Sequence, residues 1–337
     1  MEENDTPRDK ELFKIEKEFN DVVNSLEGFE VTNNSLHASS GIGEGASFLA
    51  GFYKNNYSLQ NTKYYLEGTT KTVHFTSYQV LLSILNYRNI RLYNLVNSND
   101  SEEYLYAAKK LNLDDIRKHR ARKDCFTFSM CSEVEKANRT MWKNYTLPNL
   151  GVALGFEIKN NTSNWKNFYF TKIRYGELEE IESFNIRLNH LKEKYSNCVF
   201  DVQLDHLMAF HKEKKNRWVN ERELRILGVY PYTSPEREYI VHKDFKVNTD
   251  GYREPEYIEL PLWIDSDFLK NINLQDPLVL KNNGIAEKMP VLKLTTITFK
   301  EDFLFKNNNR INFKQELERF MLFRLGYKVN VEFINVE

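Results

Sequence analysis

A chain of 337 residues with 47 Lys and Arg against 48 Asp and Glu carries almost no net charge, which excludes the overall basic field that steers a protein onto nucleic acid. Its 41% hydrophobic content suffices for one large core or two smaller ones, and only 13 Gly and 8 Pro exclude a linker-rich or disordered chain. Cys125, Cys131 and Cys198 lack the paired spacing of a disulfide framework or a zinc site.

The acidic start, Met1-Glu2-Glu3-Asn4-Asp5, has no apolar stretch of the signal-peptide kind, and no apolar run reaches membrane-span length. The expectation is a cytoplasmic protein without a membrane partner.

Residues 8 to 27 have a helical apolar stripe, Leu12, Ile15, Phe19, Val22 and Leu26. It suits packing on its own domain or on a second copy of the chain. Ser39 to Ser47 contains Gly41, Gly43 and Gly45 but lacks the Lys-Ser/Thr of a phosphate loop, so it reads as a turn. A strand over Lys71–Thr76, a helix over Tyr78–Tyr87 and a strand over Ile90–Leu95 follow. Asn97 to Asp100 form a loop, and Ser101 caps a helix opening on Glu102 and Glu103. Asp100, Glu102 and Glu103 are hard oxygen ligands for a metal, or acids suited to a helix N-terminus. The basic run Arg117, Lys118, His119, Arg120, Arg122 and Lys123 reads as a solvated face.

Strands are expected over Cys125–Ser132, Gly151–Ile158, Phe168–Tyr175 and Glu223–Val229. Glu177 to Lys215 reads as two helices broken near Ser196-Asn197. Strand-like runs occupy 257–263 and 292–299, and a helix over 312–325 ends at Gly326 before a last strand at 329–336. Strands clustered with helices between them give an α+β class.

The alternation of a strand places Glu221, Glu223 and Arg225 on one face and Leu224 and Ile226 on the other. Three charges beside an apolar face predict a wet face or a cleft wall. Glu223 and Arg225 equally suit a surface ion pair, and His74 suits a strand histidine with its hydrogen bonds satisfied. Trp142 and Tyr145, one helical turn apart, suit stacking on a ligand ring or packing in the core.

The run Val73-His74-Phe75-Thr76-Ser77, then Ile84-Leu85 and Asn99-Asp100, resembles the opening of a widespread prokaryotic family of unknown function. The resemblance continues through Thr127-Phe128-Ser129, Met141-Trp142-Lys143-Asn144-Tyr145, the strand from Gly151 to Phe156, and the series Trp218, Glu221, Glu223 and Arg225. The same opening looks similar to ADP-ribosyltransferases and RNA 2′-phosphotransferases. In those families His74, Ser129 or Ser132, and Glu221-Arg222-Glu223 would hold the matching places. This chain departs from them in reading Ser-Met-Cys-Ser at 129–132, and in carrying Phe75 where a Gly is usual.

The resemblance implies an ADP-ribosyltransferase-like split β-sheet core with helical insertions over 66–300. A helical extension over 1–65 and a helix-strand extension over 301–337 would flank it. It implies NAD as substrate and transfer of ADP-ribose to a macromolecular acceptor, or NAD hydrolysis, in a toxin or anti-phage setting. Glu223 would stabilise the oxocarbenium-like ribose, Glu221 would orient or deprotonate the acceptor, and His74 would hold the ribose or carboxamide. Thr76, Ser129, Trp142, Tyr145 and Arg225 would complete the NAD site, with no metal. Two other readings stand beside this one: a non-catalytic module binding a nucleotide or protein, and a metal-dependent nuclease built on Asp100, Glu102, Glu221 and Glu223.

Overall fold

The computed structural model describes residues 7–33, 46–54, 56–97, 101–159, 165–176, 178–215, 219–231, 234, 237, 241–243, 246–248, 251–253, 255–265, 288–303 and 310–336. The Gly41–Gly45 turn, Asn99, Asp100 and Trp218 lie outside these residues, as do the side chains of Glu102 and Glu103.

In chain order the elements are α1 (Pro7–Val23), β1 (Phe29–Asn33), β2 (Ser47–Phe52), β3 (Thr69–Ser77), α2 (Tyr78–Tyr87), β4 (Asn89–Asn94), α3 (Ser101–Lys110), α4 (Asp115–Asp124) and β5 (Cys125–Ser132). There follow α5 (Arg139–Tyr145), β6 (Gly151–Lys159), β7 (Phe168–Lys172), β8 (Arg174–Tyr175), α6 (Glu179–Lys194), β9 (Val199–Gln203), β10 (His211–Lys212) and β11 (Glu223–Val229). The last are β12 (Val241–Lys243), β13 (Lys246–Asn248), β14 (Gly251–Arg253), β15 (Glu256–Pro261), β16 (Leu292–Lys300), α7 (Arg310–Leu325) and β17 (Asn330–Ile334). This is an α+β chain, and no helix among the described residues is long and apolar enough to cross a membrane.

Ten strands form one mixed sheet in the order β12-β15-β4-β5-β3-β6-β16-β17, with β11 and then β7 attached to β5. Paired residues share a face. One face carries Leu154, Phe156, Phe126, Phe128, Leu224 and Ile226, and is covered by Leu81, Ile84 and Leu85 of α2 and by Leu317, Met321 and Leu325 of α7. The other face carries Val73, Phe75, Cys131 and Ala153 beneath Met141 and Trp142 of α5. Beside them Tyr169, Leu227 and Val229 lie beneath a lobe made of α1, α3, α4, α6 and the small sheet β1-β2-β9. In mid-sheet, Gly228 lets Phe168 and Ile258 close over β11, since an added Cβ would lie 2.9 Å from the Phe168 ring.

Ile15, Phe19, Val22 and Val23 of α1 bury into this lobe, so the stripe that suited a second copy of the chain is used within the chain. The first 65 residues are not a purely helical extension: β1 and β2 pair with each other, and β2 runs parallel to β9 from the middle of the chain. The expected second helix before Lys215 is replaced by β9. Val199 to Gln203 alternate exposed and buried, a period of two that burial of Phe200 and Val202 rewards in a strand. At the C-terminus β17 completes the large sheet parallel to β16, with α7 as the crossover. Gly326, at φ +82°, ends α7 as the sequence indicates.

Candidate functional site

The large sheet forks at β5. One side of β5 pairs with β11 along its whole length. The other side is shared: Phe126 and Thr127 pair with β4, while Cys131 and Ser132 pair with β3. Between them Phe128 to Met130 have no strand neighbour on that side among the described residues. His74 fills part of the gap, its Nδ1–H donating to the Ser129 carbonyl at 2.9 Å. Burial, partly offset by that hydrogen bond, takes the His74 pKa down to about 4. The ring is therefore neutral at pH 7 with Nε2 as acceptor. The Ser129 side chain is exposed, on the face opposite to His74.

On that same face and beyond the fork lies a series of polar rings, with Tyr93 and His242 half-buried on either side of the buried Tyr257. Tyr93 pairs with Tyr257, and Tyr257 with His242, at ring centroid distances of 5.8 and 5.5 Å. The Arg91 guanidinium lies 4.3 Å from the Tyr257 ring. Tyr93 is also the register partner of Thr127, two residues from Ser129.

Next to Ser129, on the same face, lies a buried charge cluster. Glu223 is 3% exposed and Arg225 1%. Arg225 Nη2 and Nε donate to Glu223 Oε1 at 2.6 and 2.9 Å, and Arg225 Nη1 donates to the Ala209 carbonyl at 2.8 Å. Glu223 Oε2 sits 2.5 Å from Lys212 Nζ, which is 3.7 Å from Glu221 Oε2. Tyr145 OH donates to Glu221 Oε1. Burial would raise the Glu223 pKa, but Arg225, Lys212 and the Ser129 hydroxyl outweigh it and hold it down at about 2. Two carboxylates and two cations thus neutralise one another where the lobe meets α5.

The structure therefore unites Glu221, Glu223, Arg225, Tyr145 and Ser129. His74 touches Ser129 but projects to the other face, with Phe128 at 4.5 Å. Thr76, two residues on, shares that opposite face and stands apart from the charges. Trp142 is core: it packs edge-on against Phe75 and its Nε1–H donates to Lys136 O at 2.7 Å. The expected wet face of Glu221, Glu223 and Arg225 is buried instead, because β8 and β10 close over it. Lys212 escaped notice in the sequence, although a His-Lys pair directly after the apolar run Leu207–Phe210 was a hint that these polar residues enter the core with partners.

Burial raises the thiol pKa values of Cys125 and Cys131. Arg117 pairs with Asp205 at 3.1 Å and Arg122 donates to the Leu95 carbonyl, so part of the basic run braces the fold, while His119, Arg120 and Lys123 are exposed. Among the described residues no group of three or more His, Cys, Asp or Glu is placed to hold a metal. At the Glu pair an ammonium, Lys212, stands where a divalent cation would bind.

No curated protein and no solved structure matches the chain. Residues 141–226, from Met141 on α5 to Ile226 on β11, match the model of a family described as protein of unknown function (DUF2971), a span that contains Trp142, Tyr145, Lys212, Glu221, Glu223 and Arg225.

Proposed function

We propose that the chain is a non-catalytic nucleotide-binding module, with the forked sheet at Ser129 as its binding floor and the Glu223 cluster as a lock beside that floor. The observation that carries the non-catalytic reading is the ion pairing of both Glu223 oxygens: Oε1 accepts hydrogen bonds from Arg225, and Oε2 lies 2.5 Å from the Lys212 ammonium, a charge contact without hydrogen-bond alignment. A carboxylate that stabilises a developing oxocarbenium ion must turn an oxygen to the sugar. Glu223 has both turned to cations of its own chain. The nucleotide class is drawn from the exposed Ser129 on the face that, beginning one strand away, also carries the half-buried Tyr93 and His242 and the Arg91 guanidinium, since rings and a guanidinium suit base stacking and phosphate contact.

The test is titration of NAD and ATP into the protein, followed by calorimetry, beside a Ser129→Trp variant whose thermal midpoint is unchanged. Binding by the wild type, lost in the variant, is the expected result. Equal binding by both sinks the fork as the site.

A second reading, an NAD-consuming ADP-ribosyltransferase acting on a macromolecule, is favoured by one contact: the exposed Ser129 lies one hydrogen bond from Glu223. It gains from Glu221, whose partner Tyr145 is 45% exposed and so brings the cluster to the surface. It asks Lys212 or Arg225 to release a carboxylate when NAD binds.

A further inference from the structure

We infer a second binding site, for a small organic anion, at the opposite end of the large sheet from the Tyr257 rings. A cavity of about 470 Å³ opens where α7 meets the beginning of β17, lined by Thr295, Gln315, Glu318, Arg319, Leu322, Lys328, Val329 and Asn330. Its volume falls within the range of small-molecule sites.

The cavity has a local structural cause. The register of β16 against β6 shifts between Leu294 and Thr296, so Thr295 is an extra residue with no partner in β6. Such a bulge bends its strand and re-aims a side chain. Here the bulge sets Thr295 in the cavity wall, its hydroxyl donating to the Gly155 carbonyl at 3.1 Å. Residues 315, 318, 319 and 322 follow the i, i+3, i+4, i+7 spacing of one helix face, which brings four α7 side chains to one wall.

The charge of the lining selects the ligand. Arg319 and Lys328 are exposed, and neither makes an ion pair or hydrogen bond among the described residues. Glu318, the single acid of the lining, is drawn to Lys314 at 3.7 Å along the helix. Two uncommitted cations, with the amide donors of Gln315 and Asn330, suit a phosphate or a carboxylate. Leu322 and the buried Val329 supply an apolar wall, so the anion would carry a ring or short aliphatic group.

The experiment titrates phenyl phosphate, benzoate and inorganic phosphate separately into the full chain, with heat as the readout, for the wild type, R319A/K328A and E318Q. All three substituted positions are at or near the surface, and thermal midpoints show whether the variants fold. The inference expects phenyl phosphate or benzoate to bind more tightly than inorganic phosphate, and whichever of the two binds better names the acid group. It expects R319A/K328A to weaken that binding about tenfold or more and E318Q to strengthen it. It expects Ser129→Trp to leave it unchanged, which separates this site from the fork. No binding up to about 10 mM, unaltered affinity in R319A/K328A, or loss of binding in Ser129→Trp overturns it.

Discussion

Lys212→Met is expected to cost about 3–5 kcal/mol of stability, the range found when one partner of a buried ion pair is removed and the other charge stays inside. The reason is geometric. Lys212 is the cation between Glu223 Oε2 and Glu221 Oε2, and its side chain is only 5% exposed. Without it two carboxylates face Arg225 alone in a site that water barely reaches. Methionine keeps the length of the stem, so the loss reports charge more than volume. Urea unfolding of Lys212→Met, Glu223→Gln and the double variant forms the cycle. The account expects the double variant to lose less than the two single changes summed, because neutralising Glu223 removes the stranded charge. A loss under about 1 kcal/mol for Lys212→Met, the level of an exposed pair, would show that this cluster does not lock the fold.

Acid is expected to destabilise the protein from about pH 6.5 downward, well above the range where carboxylates titrate. Burial lowers the His211 pKa to about 3, helped by the positive charges of Lys63 and Arg174. Burial also takes His74 and His206 down to about 4. A histidine whose folded pKa is depressed is neutral in the fold but protonated in the unfolded chain throughout the window between the two values. The unfolded state therefore holds more protons there, and stability falls as pH falls from 6.5 toward 4. Each such histidine contributes up to about 1.4 kcal/mol per pH unit within its window. Glu223 acts lower: its depressed pKa adds stability above 4.5 that is lost as pH drops toward 2. Urea midpoints at a series of pH values check this, with His211→Gln expected to flatten the slope above pH 4.5. His211 is the natural choice because it is 1% exposed, with Nε2 beside Tyr64 OH at 3.1 Å. A flat profile from pH 7 to 5 in the wild type would contradict the neutral buried histidines.

Local patterns carried much of the fold. The β3-α2-β4 succession, β5 over 125–132, β11 over 223–229 and the last helix were legible because each has a strong period and a clear stop, such as Ser77 capping α2 and Gly326 ending α7. The sharing of a face by Glu221, Glu223 and Arg225 was legible from alternation alone. Their burial was not, because it depends on β8 and β10, two-residue strands whose pairing is nonlocal and leaves no periodicity to read. β9 was hidden for a related reason: five residues after a helix are too few to override a helical reading unless the partner strand β2 is known. The fork at Ser129 depends on which strands flank β5, and no stretch of sequence encodes that choice by itself. For this reason the resemblance set His74 and Glu223 in one NAD site, whereas their side chains project from opposite faces of the sheet and meet through Ser129.

The most direct test of the central claim, that Glu223 holds the fold and performs no chemistry, is nicotinamide release from NAD by the purified wild type with cell lysate and a chelator present. The account predicts no release above that of heat-denatured protein. Release by the wild type that Glu223→Gln or Glu221→Gln abolishes, with the variant still folded, would contradict it and make the cluster an NAD-consuming centre.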